Sequence, residues 1–322
     1  MYDTIIFDLD GVITSESVFW NTAALTAAEF LCLPMEDSGV LRRKLFDEDR
    51  VIRLLKNRGV NSNWDLVYLA VAFWETNGDA LFKALEREAG MAAELYARAA
   101  NLLSQKPAFS GEDTVRGGAL WQSMADSFQE WFLGSETFLK VYGKAPHGER
   151  RGLWETEEPI VGRENLLQTL SRLVKDGISL RIGTARPLPE GRVPLERWGA
   201  YPYFEKTGVI TYDYIRTAEE ALGQKGLGKP HPYIFLKAYF GCDFPDKEIL
   251  SGAYEKDFSR CLVVGDAGAD LFAAQKMGAD FAAVLTGAAG EAAAPFFEEN
   301  GATYILPDIT HLPRILHERR KK

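Results

Sequence analysis

The chain has little cysteine. Three residues, Cys32, Cys242 and Cys261, are spread over 322 positions, too few and too scattered for a disulfide framework or a zinc cluster. Histidine is as scarce, with four residues, so a His/Cys metal centre has little to build on. An excess of positive charge is missing too. Asp and Glu number 46 against 37 Lys and Arg, a formal net charge of −9. That balance argues against nonspecific partners of the nucleic-acid or acidic-membrane kind. Long apolar runs are absent: the most apolar helical stretch of the first half, Trp64 to Trp74, falls far short of the ~20 residues that cross a bilayer. Met1-Tyr2-Asp3-Thr4 is acidic where a signal peptide is basic. Internal repeats and low-complexity linkers are lacking. What remains is an ordinary globular composition, 46% hydrophobic and 26% charged, and the expectation is a cytoplasmic protein.

The pattern along the chain changes twice. Thr4-Ile5-Ile6-Phe7 is short, apolar and β-branched, so it reads as a buried strand, and it ends in Asp8-Leu9-Asp10-Gly11. From Ser15 to Glu158 no convincing strand follows. Apolar residues recur at helical spacing, as in Leu41/Leu45 and Leu66/Leu69/Ala70/Phe73. Turn signals at Asn57-Arg58-Gly59, Asn77-Gly78, Lys106-Pro107 and Arg116-Gly117-Gly118 divide the run. After Pro159 strands and helices alternate. A helix over about 163–175 precedes a strand at Ile178–Ile182. A helix over about Pro230–Tyr239 precedes a strand at Cys261–Val264. A helix through Leu271–Lys276 leads to the apolar run Phe281–Val284. This alternation predicts a parallel sheet with helices on both faces. A single strand before Asp8 needs that sheet as well. The fold class is therefore α/β: a three-layer Rossmann-like core of residues 1–14 and 159–322, with an all-helical domain of residues 15–158 inserted into it.

Ligands of open α/β sheets bind at the carboxyl ends of the strands, so the polar residues there carry the chemistry. Asp8 and Asp10 follow the first strand, Thr184 the strand at Ile178–Ile182, and Asp266 the strand at Cys261–Val264, with Asp270 one helical turn later. If these strands are neighbours, four carboxylates and a hydroxyl meet at one edge. Carboxylates that close repel each other. A divalent cation removes that cost, and Mg²⁺ is the natural choice for oxygen ligands. Lys229, just before Pro230 at a predicted helix start, is placed to hold an anion beside them.

Four ordered segments, Asp8-Leu9-Asp10-Gly11, Thr184, Gly228-Lys229-Pro230 and Gly265-Asp266-Ala267-Gly268-Ala269-Asp270, resemble the motifs of the haloacid dehalogenase superfamily. The large insert directly after the first motif is similar to the subclass with a helical cap there, the phosphoglycolate phosphatase and β-phosphoglucomutase group. The resemblance covers the α/β part; over the insert it extends only to position and helical character. It implies that Asp8 is the nucleophile forming an aspartyl-phosphate and that Asp10 is the general acid/base. It implies Mg²⁺ held by the Asp8 carboxylate, the Asp10 backbone carbonyl and Asp266, with Asp270 completing the metal site or orienting Lys229. Thr184 and Lys229 then bind the phosphoryl oxygens. The implied partner is a small phosphorylated metabolite and the implied reaction its hydrolysis. A phosphomutase of β-phosphoglucomutase type shares every core residue. A binding or regulatory protein that keeps only the fold would be expected to lose a member of the set.

Other features carry less. Arg186, in Gly183-Thr184-Ala185-Arg186-Pro187, is a possible substrate-binding residue, or else a structural ion pair. Gly223-Gln224-Lys225-Gly226-Leu227-Gly228-Lys229 imitates the start of a P-loop, but Pro230 stands where Ser or Thr holds Mg²⁺ and no strand precedes it. Six of the seven tryptophans lie between residues 15 and 158, which suits a helical core more than a ligand pocket. Segment 42–58 has seven basic and three acidic residues and reads as a solvated helix face.

Overall fold

The computed structural model describes residues 2–60, 62–74, 81–252, 254 and 256–320; the turn expected at Asn77-Gly78 lies outside them. The chain divides into two compact units. One joins Met1–Glu16 to Glu157–Lys322; the other is Ser17–Thr156.

The first unit is built on six parallel strands: β1 (Thr4–Phe7), β2 (Ser179–Gly183), β3 (Phe204–Ile210), β4 (Cys261–Gly265), β5 (Asp280–Val284) and β6 (Tyr304–Leu306). Their spatial order is β3-β2-β1-β4-β5-β6. β1 is thus central, with Phe7 level with Ile182 on one side and Val264 on the other. Successive side chains along a strand point to opposite faces, and both faces are apolar. Ile5, Phe7, Leu180, Ile182, Leu262 and Val264 pack with Leu166, Leu170 and Leu173 of helix Arg163–Lys175. Ile6, Val263, Phe281 and Ala283 pack with Ile234 and Phe235 of helix Tyr233–Phe240 and with Leu271 and Ala274 of helix Gly268–Met277. This is the expected three-layer α/β core.

Two strands escape the sequence pattern. β3 has exposed Glu205, Lys206 and Thr207 in its middle, and its register against β2 shifts between Leu180 and Ile182. It is an edge strand, where charge is tolerated and useful. β6 is three residues long, below what a periodicity argument detects. The helix expected from Pro230 starts only at Tyr233. Pro230 and Pro232 lack backbone N–H groups, and each disfavours helical geometry in the residue before it. Lys229 therefore leaves a turn, not a helix start. The P-loop imitation begins at Gly223, the cap of helix Tyr212–Leu222, with no strand before it.

The second unit contains helices and no strand among its described residues. Its longer helices are Ser17–Phe30, Asn63–Phe73, Ala92–Ser104 and Ala119–Leu133. Asn63–Phe73 buries every residue from Asp65 to Phe73. Phe19 stacks on Phe132 at 4.6 Å, and Trp64 meets Trp121 edge-on at 5.7 Å, so these aromatics build core. In segment 42–58 the bases are partly matched in place: Arg42 pairs with Asp49 at 2.6 Å and Arg50 with Asp47 at 2.9 Å. No helix among the described residues is long and apolar enough to cross a membrane.

Candidate active site

The central strand β1 delivers Asp8 to the carboxyl edge of the sheet. After it the chain turns sharply. The backbone N–H groups of Ile13 and Thr14 donate to the Leu9 carbonyl, and that of Gly11 donates to the Thr14 carbonyl. Gly11 has φ +71°, and a Cβ there would lie 2.2 Å from an Asp266 carboxylate oxygen. Glycine is thus required on both conformational and steric grounds. Gly287 is similarly bound by space: its Cβ would lie 1.9 Å from the same carboxylate. The Asp266 side chain is cradled between two glycine backbones.

β4 lies beside β1, and its end supplies the other carboxylates. Asp266 follows Gly265, and Asp270 sits in the first turn of helix Gly268–Met277. Ligand oxygens of Asp8, Asp266 and Asp270 all lie within 4.8 Å of one another. The Lys229 ammonium reaches Asp8 Oδ1 and Asp270 Oδ1, each at 2.8 Å, and lies 4.9 Å from the centre of the Phe235 ring. Burial pushes the Asp8 carboxyl up to about 7 against the pull of Lys229, with Asp270 and Asp10 adding to the rise. Burial alone disfavours the Lys229 charge, but Asp270 and Asp8 outweigh it and hold the ammonium above the usual lysine range.

The donor set suits a hard divalent cation: three carboxylates converge on one point, one of them held where no side chain but its own fits. Asp10 does not join this group through its carboxylate. That carboxylate accepts hydrogen bonds from Arg186 Nε at 3.0 and 3.2 Å and from Arg186 Nη2 at 2.6 Å.

Arg186, considered above as a substrate contact, lies buried at 3% exposure. Besides Asp10 it donates to both Glu157 carboxylate oxygens, the Glu190 carbonyl and Thr14 Oγ1. Its guanidinium is spent on the protein's own groups. Thr184 follows β2 at the same sheet edge and is fully buried. Its Oγ1 accepts from the Arg186 backbone N–H at 3.2 Å.

Residue-type reasoning missed Glu157 and Thr286. Glu157 stood at the end of the segment read as the helical insert, with no chemical role assigned to it. Thr286 donates to the Gly11 carbonyl at 2.5 Å, bracing the turn after Asp8. The strand-end rule applied to Phe281–Val284 would have found Thr286.

Residues 226–312 match the family model described as HAD-hydrolase-like. The match contains Lys229, Asp266 and Asp270, and it stops short of Asp8. No curated protein matches the chain. Among solved structures, a crystal structure from the Northeast Structural Genomics Consortium is similar over 99% of both chains, with 26% identity and a TM-score of 0.84. A candidate β-phosphoglucomutase from Thermotoga maritima is similar over 99% of both chains, with 18% identity and a TM-score of 0.50. A predicted phosphoglycolate phosphatase from Haemophilus somnus is similar over 98% of both chains, with 16% identity and a TM-score of 0.50. The haloacid dehalogenase-like fold read from the four motifs is present in this chain.

Proposed function

We propose that the protein is a Mg²⁺-dependent phosphatase that hydrolyses a small phosphorylated metabolite through an aspartyl-phosphate on Asp8. The observation that carries this reading is the convergence of the Asp8, Asp266 and Asp270 carboxylates with Lys229 bridging two of them at 2.8 Å. Such a cluster is costly for stability alone, because the carboxylates repel and Asp8 is buried.

Asp8, Asp266 and Asp270 would hold Mg²⁺, with the Asp10 backbone carbonyl as a further oxygen. When bound, the ion supplies charge neutralisation for the carboxylates and the phosphoryl oxygens. Lys229 and Thr184 bind and orient the phosphoryl group. The Lys229 ammonium is held in place by Asp8 and Asp270, so its charge is already positioned for the phosphoryl oxygens. An Asp8 oxygen forms a bond to phosphorus as the bond to the ester oxygen breaks. Asp10 gives its proton to that departing oxygen. Asp10, now ionised, takes a proton from water as the water oxygen bonds to phosphorus. The Asp8–phosphorus bond breaks, inorganic phosphate leaves, and both carboxyl groups return to their starting state.

Phosphate release from a generic aryl phosphate with and without Mg²⁺ tests the reading, with Asp8→Asn as control. The expected result is turnover only in the wild-type protein with the metal. No release above the control over a broad panel of phosphoesters would overturn it. Transfer to a sugar phosphate faster than to water would reassign the protein to the phosphomutases.

A further inference from the structure

We infer that Glu157 and Arg186 form a positioning pair that sets the Asp10 carboxylate for proton transfer to the leaving oxygen; this rests on the role given to Asp10 above. Arg186 is the geometric centre of the arrangement. Its Nη2 reaches Asp10 Oδ1 at 2.6 Å, Glu157 Oε1 at 2.6 Å and Thr14 Oγ1 at 2.8 Å, while Nη1 reaches Glu157 Oε2 at 3.2 Å and the Glu190 carbonyl at 3.2 Å. A planar fork with this many fixed acceptors has no rotational freedom.

Glu157 is fastened as firmly. Its side chain is fully buried, and its carbonyl accepts from Arg197 Nη2 at 2.6 Å and from Trp198 Nε1 at 3.2 Å. Thr14 closes the loop: its hydroxyl approaches Asp10 Oδ1 at 3.1 Å and the Leu9 carbonyl at 3.0 Å. Asp10 is more open, with 29% of its side chain exposed. A partly exposed carboxylate on a turn has several rotamers, and the buried pair behind it selects one.

The placement also has a consequence along the chain. Glu157 is the first residue after the inserted helical unit, and Ile160, three residues on, donates to the Ile13 carbonyl. The returning chain and the turn that carries Asp10 are therefore tied together by a backbone bond and by a buried guanidinium. A buried Arg–Glu pair contributes little net stability, whereas a proton donor misplaced by an ångström costs about 10²-fold in rate.

A leaving-group series separates positioning from support. Phenyl phosphates whose phenols run from acidic dinitrophenol to unsubstituted phenol are compared by kcat/KM, in wild type, Glu157→Gln and Arg186→Lys. A weakly basic phenolate leaves without help, whereas phenolate itself needs the proton. The expected loss is about 10-fold or more for phenyl phosphate and under about 3-fold for the dinitrophenyl ester, a part of the roughly 10²–10⁴-fold that a general acid contributes. A steeper dependence on phenol acidity in both variants, measured per folded molecule, supports the pair whatever the change in thermal midpoint. Equal losses across the series, or none, overturn it. If Glu157→Gln does not fold, Arg186→Lys, which keeps the charge and loses the fork, decides alone on the same slope. A wild-type protein inactive on the whole series with Mg²⁺ would instead sink the phosphatase reading.

Discussion

Both units bury carboxylates, and they treat them in opposite ways. In the helical unit Asp65 is 1% exposed, yet every lone-pair direction is used. Its Oδ1 accepts from Arg116 Nε at 2.8 Å and Trp121 Nε1 at 2.9 Å; its Oδ2 accepts from Arg116 Nη2 and Tyr96 Oη, each at 2.9 Å. In the α/β unit three carboxylates face one another with a single ammonium between two of them. The first arrangement is a finished hydrogen-bond network, worth something to the fold. The second brings like charges together, the arrangement that the proposed cation would neutralise. Burial therefore does not mark function by itself.

The largest expected difference tests that contrast directly. Asp8→Asn should lower turnover by about 10⁴-fold or more, as loss of a nucleophile does, while the thermal midpoint stays level or rises because one repelling charge is gone. A drop in midpoint with activity retained would turn Asp8 into a structural residue. Metal addition comes next. Mg²⁺ should raise the unfolding midpoint with concentration, by mass action on the folded state, and Asp266→Asn should blunt that rise. EDTA should abolish turnover and Mg²⁺ restore it. A midpoint indifferent to Mg²⁺, together with activity that persists in EDTA, would leave the three carboxylates without their counter-charge and break the comparison.

The same contrast explains what could be read from residues alone. The α/β unit was legible because its chemistry follows from topology: strands ending in Asp8, Thr184 and Asp266 bring those residues to one edge if they are neighbours, and β1 does lie between β2 and β4. Edge strand β3 was hidden by Glu205-Lys206, whose charges an edge permits. Asp10's turn toward Arg186 was not legible either. Arg186 is 176 residues further along, and its guanidinium is shared with Glu157, 147 residues from Asp10. Nothing local in Glu157-Glu158-Pro159 announces a buried acid. In the helical unit, periodicity showed that Leu66, Leu69 and Phe73 pack. It gave no sign that Asp65 beside them would be buried with four donors from residues up to 56 positions distant.

The finished network should fail in the opposite sense to Asp8. Asp65→Ala leaves the Trp121 indole N–H buried and the Tyr96 hydroxyl and Arg116 fork without their acceptor. The expected cost is about 2–3 kcal/mol, discounted because Arg116 is half-exposed and can turn to water. Chemical denaturation measures it, and turnover per folded molecule should change by less than about 3-fold. A large loss of turnover in a fully folded Asp65→Ala would mean that the buried acid serves the reaction, against the distinction drawn between the two networks.

The smallest effect is a pH dependence. Glu130 is fully buried, and burial by itself would raise its pKa. The His147 backbone N–H at 2.9 Å and the His147 ring at 2.9 Å outweigh burial, with Arg150 and the Gly148 N–H at 3.2 Å, and hold the carboxyl below the usual glutamate range. A folded-state pKa below the unfolded one means that the stabilisation is complete above the ordinary value of 4.5. It is lost as pH falls from there through the folded value. Glu130→Gln should therefore be less stable than wild type near neutral pH, with the gap narrowing below 4.5 as the wild-type carboxylate takes its proton. Denaturation midpoints of the two proteins, followed from neutral to acid pH, measure the gap. A gap of constant size would mean that Glu130 does not change charge in this range, and the donors around it would then be matching an acid that is already neutral.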